Sequence, residues 1–357
     1  MHRRFREFIR LTCVALCATG VAHAADHVDI TWLSIANMHF DVGKQRVLAD
    51  GYITRLPNEI FHGGQSGYDK TQRALRPDEG AVREVLEAIG GRPAVNLLLT
   101  GHNHFDHSFD TATWSKLTGA RVIGAKTACL QTRAQGIPAA RCTPVSGGEV
   151  FELEPGVHLY VIRWNHSGGP DLNPELHAPL ELGAVPKPDS HGALRAGVSE
   201  DFPNGGGNRA YLFKVDGPRG TFSWMFQDSG SAIDLTEPVI VAGKNYGAPL
   251  ENLRTALRSA GLQSVDLWIA TGGVDVARLV LPVLKPAAYL PVHWDGLFGA
   301  FKAGPPQPFS DPELSKLLAG AGVKLITPAQ YMDKWRLDRD GVQPLDNTAV
   351  KNALGFH

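Results

Sequence analysis

A chain of 357 residues that is 43% hydrophobic and 20% charged is long enough to bury a large α/β core and too apolar to stay disordered. Its 35 lysines and arginines almost balance 36 aspartates and glutamates, and no basic run occurs beyond the first ten residues, so no surface for nucleic acid is expected. The unusual counts are 14 histidines and 39 glycines, and both suit a metal site carried on loops.

The first 24 residues read as an export signal. Arg3, Arg4, Arg6 and Arg10 form a basic start, Leu11 to Val21 an apolar stretch, and Ala22-His23-Ala24 a small-x-small cleavage site. The apolar stretch is too short to span a bilayer, so no stable membrane anchor is expected. Leu16 also stands where a lipobox before Cys17 needs a small residue. The mature chain is expected to begin near Ala25 and to be periplasmic or secreted. It keeps Cys129 and Cys142. Export gives them an oxidising setting in which a disulfide is expected, although their separation does not say whether their Cα atoms come within reach.

Asp29 to Ile35 and Gln45 to Asp50 are short β-like runs separated by a hairpin-like Asp41-Val42-Gly43-Lys44, and Asp50-Gly51 has the composition of a turn. Residues 52 to 76, with Gly63, Gly64 and Gly67, suit a long binding loop that brings His62 and Tyr68 to the substrate side of a site. Val82, Val85, Leu86 and Ile89 share one helical face that ends at Gly90-Gly91. A buried strand over 94 to 99 follows, then a polar loop, a helix over 111 to 117, a strand at 121 to 124 and a helix over 126 to 135. Strand and helix alternate, which predicts a sheet covered by helices.

A second β-rich run, 149 to 162, leads into Trp164-Asn165-His166-Ser167-Gly168-Gly169. Residues 168 to 207 read as a loop-rich insertion in which His177 and His191 face solvent. Its Gly205-Gly206-Gly207 is not a phosphate loop, because no strand runs in and no lysine-bearing helix start follows. The hairpin 210 to 226 empties into Gln227-Asp228-Ser229-Gly230. A helix marked by Leu250, Leu253 and Leu257, a strand at 265 to 270 and a run ending in Pro291-Val292-His293-Trp294-Asp295-Gly296 complete the pattern. A helix from about Asp311 and a short strand near 323 to 326 close a single domain over 25 to 335, with 336 to 357 expected as a peripheral tail.

Thr100-Gly101-His102-Asn103-His104-Phe105-Asp106-His107 is the most informative stretch. Three imidazoles and a carboxylate in six residues, on a glycine-opened turn after a buried strand, point mixed nitrogen and oxygen donors into one small volume, as zinc prefers. Asp50, this loop, His166, Asp228 and His293 each follow a β-like run, so strand ends sharing one edge would bring them together. This ordered set resembles the metallo-β-lactamase superfamily of metal-dependent hydrolases, whose hallmark is a His-x-His-x-Asp-His loop followed by a further His, an Asp and a last His. The resemblance covers residues 29 to 296.

It implies a four-layer αββα sandwich of the α/β class. It also implies two divalent ions, zinc by preference, one held by His102, His104 and His166, the other by Asp106, His107 and His293, with Asp228 bridging and Asp50 in the place of the family's early aspartate. The implied chemistry is hydrolysis of a small-molecule ester-like bond by a metal-bridging hydroxide that Asp106 orients. Trp32 and the Pro-Val-His-Trp ending resemble the lactonase and phosphodiesterase branch. Asp228 weighs against the alternative of β-lactam hydrolysis, and His104 against flavodiiron-type oxidoreductases. A non-catalytic metal-loaded binding protein is the alternative from another class. His62, His191 and Tyr246 are candidates for a leaving-group acid.

Overall fold

The computed structural model describes residues 25–56, 74–166, 180–195, 197 and 202–356. The expected signal segment, His62, Tyr68 and His177 lie outside the described residues. The chain builds β1 (His27–Ser34), β2 (Asn37–Val42), β3 (Gln45–Ala49), β4 (Leu97–Leu99), β5 (Arg121–Gly124) and β6 (Cys142–Pro144). It continues through β7 (Val150–Glu154), β8 (Val157–Arg163), β9 (Arg209–Gly217), β10 (Gly220–Phe226), the small pair β11 (Ile240–Val241) and β12 (Lys244–Asn245), β13 (Leu267–Ala270), β14 (Ala288–Pro291) and β15 (Lys324–Leu325). It ends with β16 (Asp333–Asp338) and β17 (Gly341–Leu345).

One sheet has the order β17-β16-β1-β2-β3-β4-β5-β6, the other β15-β14-β13-β10-β9-β8-β7. They pack face to face: the Phe40 ring of β2 lies 5.5 Å from Phe213, 5.6 Å from Trp224 and 6.1 Å from Phe226. Strand alternation explains how β8 serves two layers. Leu159 and Val161 join the buried cluster shared with the first sheet, while Tyr160, Ile162 and Trp164 face the other way.

Helices α1 (Glu79–Ala88), α2 (Phe105–Ser108), α3 (Thr111–Thr118) and α4 (Lys126–Ala134) belong to the first half, and α5 (Pro249–Ala260), α6 (Gly273–Leu284) and α7 (Pro312–Gly320) to the second. Leu250, Leu253, Ala256 and Leu257 line the buried stripe of α5, and Val276, Ala277, Val280 and Leu284 that of α6, both in the outer cluster of the second sheet. The result is the αββα sandwich expected. Among the described residues no helix is long and apolar enough to cross a membrane. Cys129 and Cys142 form a disulfide, with Cα atoms 5.4 Å apart, between α4 and β6.

Two expectations need correction. The hairpin connection expected over Asp41-Val42-Gly43-Lys44 is shorter: Asp41 and Val42 end β2, which is paired on both sides, and the tight turn is Gly43-Lys44 alone, with Gly43 at φ +57°. Residues after Arg336 are not a peripheral tail. They complete β16, add β17 and end in α8 (Thr348–Leu354), with Leu354 and Phe356 buried. The reason is that β1 would otherwise be an edge strand, and β16 covers it in antiparallel register from His27↔Asp338 to Trp32↔Asp333.

Candidate metal centre

Five strands deliver the candidate residues to one edge of the sandwich. Asp50 follows β3, the histidine loop follows β4, His166 follows β8, Asp228 follows β10 and His293 follows β14. The loop is clamped between the sheets by its own backbone. Gly101 N–H donates to Asp50 Oδ1 at 2.9 Å, Gly101 carbonyl accepts from Arg209 N–H at 2.8 Å, and Thr100 carbonyl accepts from Tyr211 Oη at 2.8 Å. From the other side Asn103 N–H donates to Gly205 carbonyl at 2.8 Å and Phe105 N–H to Gly197 carbonyl at 2.9 Å. Close approach explains the glycine of the triple that matters. Gly205 has φ +71°, and a Cβ there would stand 2.8 Å from His102 Cβ.

The side chains fall into three overlapping groups whose donor atoms lie within 4.8 Å of one another: His102, His104 and His166; His102, His107 and Asp228; Asp106, His107 and His293. Asp228 Oδ2 is 2.8 Å from His102 Nδ1 and 3.3 Å from His107 Nδ1, so it stands between the outer two groups. Asp106 Oδ2 lies 3.0 Å from both His107 Nε2 and His293 Nε2. Asp50 Oδ2 accepts from His107 Nδ1 at 2.9 Å, which aims the opposite nitrogen at Asp106 and His293. Likewise His104 Nε2 donates to Phe202 carbonyl at 3.0 Å, which leaves Nδ1 for its group. Two backbones are held in the left-handed region, Asp50 at φ +62° and His293 at φ +65°, the latter tied by its N–H to Ile35 carbonyl at 3.0 Å.

The electrostatics are those of a polar cluster sealed from water. Burial drives His102 well below the usual imidazole range and lowers His104. Burial opposes charge on His107 too, but the carboxylates of Asp106, Asp50 and Asp228 outweigh it and raise its imidazole well above that range. Asp106 is the mirror case: burial would raise it, and His107 and His293 hold it well below the ordinary carboxylate value. Asp50 is pushed up to about 7 by burial and the neighbouring charge of Asp228, and burial raises Asp228. Among the seven candidate ligands, two buried atoms have no hydrogen-bond partner, His102 Nε2 and Asp228 Oδ1. An orphaned imidazole nitrogen and an orphaned carboxylate oxygen among five imidazoles and two carboxylates are what a divalent cation would satisfy, so the residues fit one.

No protein-family model matches the chain. A UPF0173 metal-dependent hydrolase from Pyrobaculum islandicum is 36% identical over 82 residues, 23% of this chain and 36% of the relative. Another from Pyrobaculum aerophilum is 32% identical over 140 residues, 39% of this chain and 51% of the relative. The chain therefore spans about a third to a half of the length of these curated relatives. The solved structure of Igni18, a metallo hydrolase from the archaeon Ignicoccus hospitalis, has a TM-score of 0.50 with 14% identity, covering 87% of this chain and 99% of that one, a likeness of fold. The chain shows two face-packed sheets, helices outside, and a His-x-His-x-Asp-His loop joined at one edge by His166, Asp228 and His293. The fold is the metallo-β-lactamase-like αββα sandwich.

All seven residues singled out as ligands come together, and Asp50 backs them. Tyr246 does not. Its ring lies over the Arg163 guanidinium at 4.5 Å, beside a cavity that none of the seven lines. His191 is exposed on a turn built on Asp189 and belongs to none of the three donor groups. Asp110 escaped the sequence reading. Buried after α2, it accepts from Ile53 N–H at 2.6 Å, Thr54 N–H at 2.8 Å and Thr54 Oγ1 at 2.5 Å, tying the segment after Asp50 to the histidine helix. Burial pushes its carboxyl up to about 6. An aspartate just before a helix reads as an ordinary cap, which is why nothing local marked it.

Proposed function

We propose that this protein is an exported, binuclear metal-dependent hydrolase that cleaves an ester-like bond, a lactone or a phosphodiester, in a small molecule. The observation that carries the reading is the pair of three-donor groups, His102/His104/His166 and Asp106/His107/His293, on either side of Asp228. Each would hold one divalent ion, zinc by its liking for nitrogen and oxygen donors, with Asp228 shared. Bound there, such ions supply Lewis acidity and bring the pKa of a coordinated water toward neutrality.

The chain's own residues do the positioning. Asp50 fixes the His107 ring and Phe202 carbonyl that of His104. Asp106, buried and held ionised by His107 and His293, accepts a hydrogen bond from the attacking water and orients it. The names of the Pyrobaculum relatives support hydrolysis, the N-terminal composition and the Cys129–Cys142 disulfide support export, and the balanced charge supports a small substrate over a nucleic acid. A panel of a lactone, a chromogenic phosphodiester and a chromogenic cephalosporin, assayed on the zinc-loaded chain, tests the bond class. Turnover of the lactone or the phosphodiester is expected. Turnover of the cephalosporin alone contradicts the assignment, and two bound metals with no turnover of any of the three favour a metal-loaded binding protein.

A further inference from the structure

Outside the histidine cluster the most incongruous group is Arg163, the last residue of β8. Its side chain is 2% exposed, yet only Nη1 has a partner, Glu181 Oε1 at 2.6 Å. Nε and Nη2 are buried with none. The same Glu181 oxygen also accepts from Arg209 Nη2 at 3.0 Å, so one carboxylate answers two buried guanidinium ions. Arg209 is otherwise satisfied by the carbonyls of Val145 and Asn208. The other carboxylate at hand, Glu149, accepts from the backbone N–H groups of Ser146 and Gly147, at 2.6 and 2.8 Å. Among the described residues one buried positive charge is left without a counter-ion, a costly arrangement unless something supplies it.

Space for that counter-ion adjoins the guanidinium. A cavity of about 100 Å³ lies between β7, β8 and α5, lined by Gly148, Glu149, Arg163, Tyr246, Asn252 and Ser259 among others. Tyr246 covers the face of the guanidinium, and Nε and Nη2 in its plane are buried without a partner. These two nitrogens form the parallel fork that matches two oxygens of one oxyanion. Burial, and then the charge of Arg209, pull Arg163 down to about 10, in keeping with an uncompensated site.

We propose that this cavity is a second binding site, separate from the candidate metal centre, which takes a small oxyanion such as phosphate or a carboxylate on Arg163 Nε and Nη2. The test measures the thermal midpoint of the zinc-loaded full chain in sodium phosphate, sodium acetate and sodium chloride at equal ionic strength. Phosphate, acetate or both are expected to raise the midpoint above the chloride control. Arg163→Met should weaken the binding behind that rise about tenfold or more. Ser259→Trp, at an exposed helix position on the cavity rim, keeps Arg163 intact and should block binding by filling the space, so a misfolded Arg163 variant does not spoil the test. A rise with phosphate alone assigns the site to tetrahedral oxyanions, a rise with acetate to carboxylates. No rise with either, or the same rise in Ser259→Trp as in the wild type, overturns the proposal, the latter by placing the anion elsewhere.

Discussion

Asp228→Ala is expected to lose at least one of two bound metal ions and to reduce turnover at least about a hundredfold. Asp228 is fully buried, with Oδ2 2.8 Å from His102 Nδ1 and 3.3 Å from His107 Nδ1 and Oδ1 without any partner. Removing it takes a negative charge from the point where both donor groups meet, so two cations would face each other with less compensation. It also frees the His102 ring to turn. Elemental analysis beside kinetics reads both effects, and Lys116→Ala, at an exposed position of α3, serves as the control that keeps metal and activity. An Asp228→Ala protein with two metals and full activity would remove the shared carboxylate from the account.

Gly101→Ala should be nearly as damaging, although alanine brings no charge and no polar atom. A Cβ at Gly101 would lie 2.0 Å from Asp228 Oδ2, 2.2 Å from its Cγ and 2.5 Å from Oδ1, distances no structure tolerates. The carboxylate must move, yet it is hemmed by His102 and His107, and the Gly101 backbone is pinned by Asp50 and Arg209. Overpacking a closed site costs about 1–3 kcal/mol, and a 1 Å displacement of a positioning group costs about a hundredfold in rate. The same chemical change at Gly320, where a new Cβ meets nothing within 4 Å, should leave stability and activity near the wild type. Zinc content, thermal midpoint and turnover of the two variants make the comparison. If Gly101→Ala matches Gly320→Ala in all three, the packing of Asp228 against this turn is not what organises the centre.

Much of this was legible in the sequence because side chains that follow a strand share a fate with its end. The histidine loop announced itself through donors packed at a glycine turn. Asp228 and His293, isolated after β-like runs, acquired meaning only through the superfamily pattern. Asp50 looked like a turn residue and is one, at φ +62°, but both its oxygens are engaged, one by Gly101 N–H and one by His107.

The strand β2 was hidden because its polar residues are buried instead of solvated. Asn37 bonds the backbone of Gly51 and Tyr52 and the Ser34 hydroxyl, and His39 Nε2 lies 2.7 Å from Ala94 carbonyl, contacts no local pattern foretells. The closing strands were missed for a related reason. Trp335 and Leu337 alternate with Lys334 and Arg336, but what makes them a strand is β1 at the far end of the chain, with Arg336 and Lys334 both paired to Asp29. Such long-range pairing is set by the whole core, not by the segment.

The measurement that bears most directly on the centre is the zinc content of the purified full chain after reconstitution and removal of loosely held ions. Two ions per chain are expected, with His102→Ala emptying chiefly the group it shares with His104 and His166, and His293→Ala chiefly the group it shares with Asp106 and His107. One tightly held ion or none in the wild type would contradict the binuclear reading.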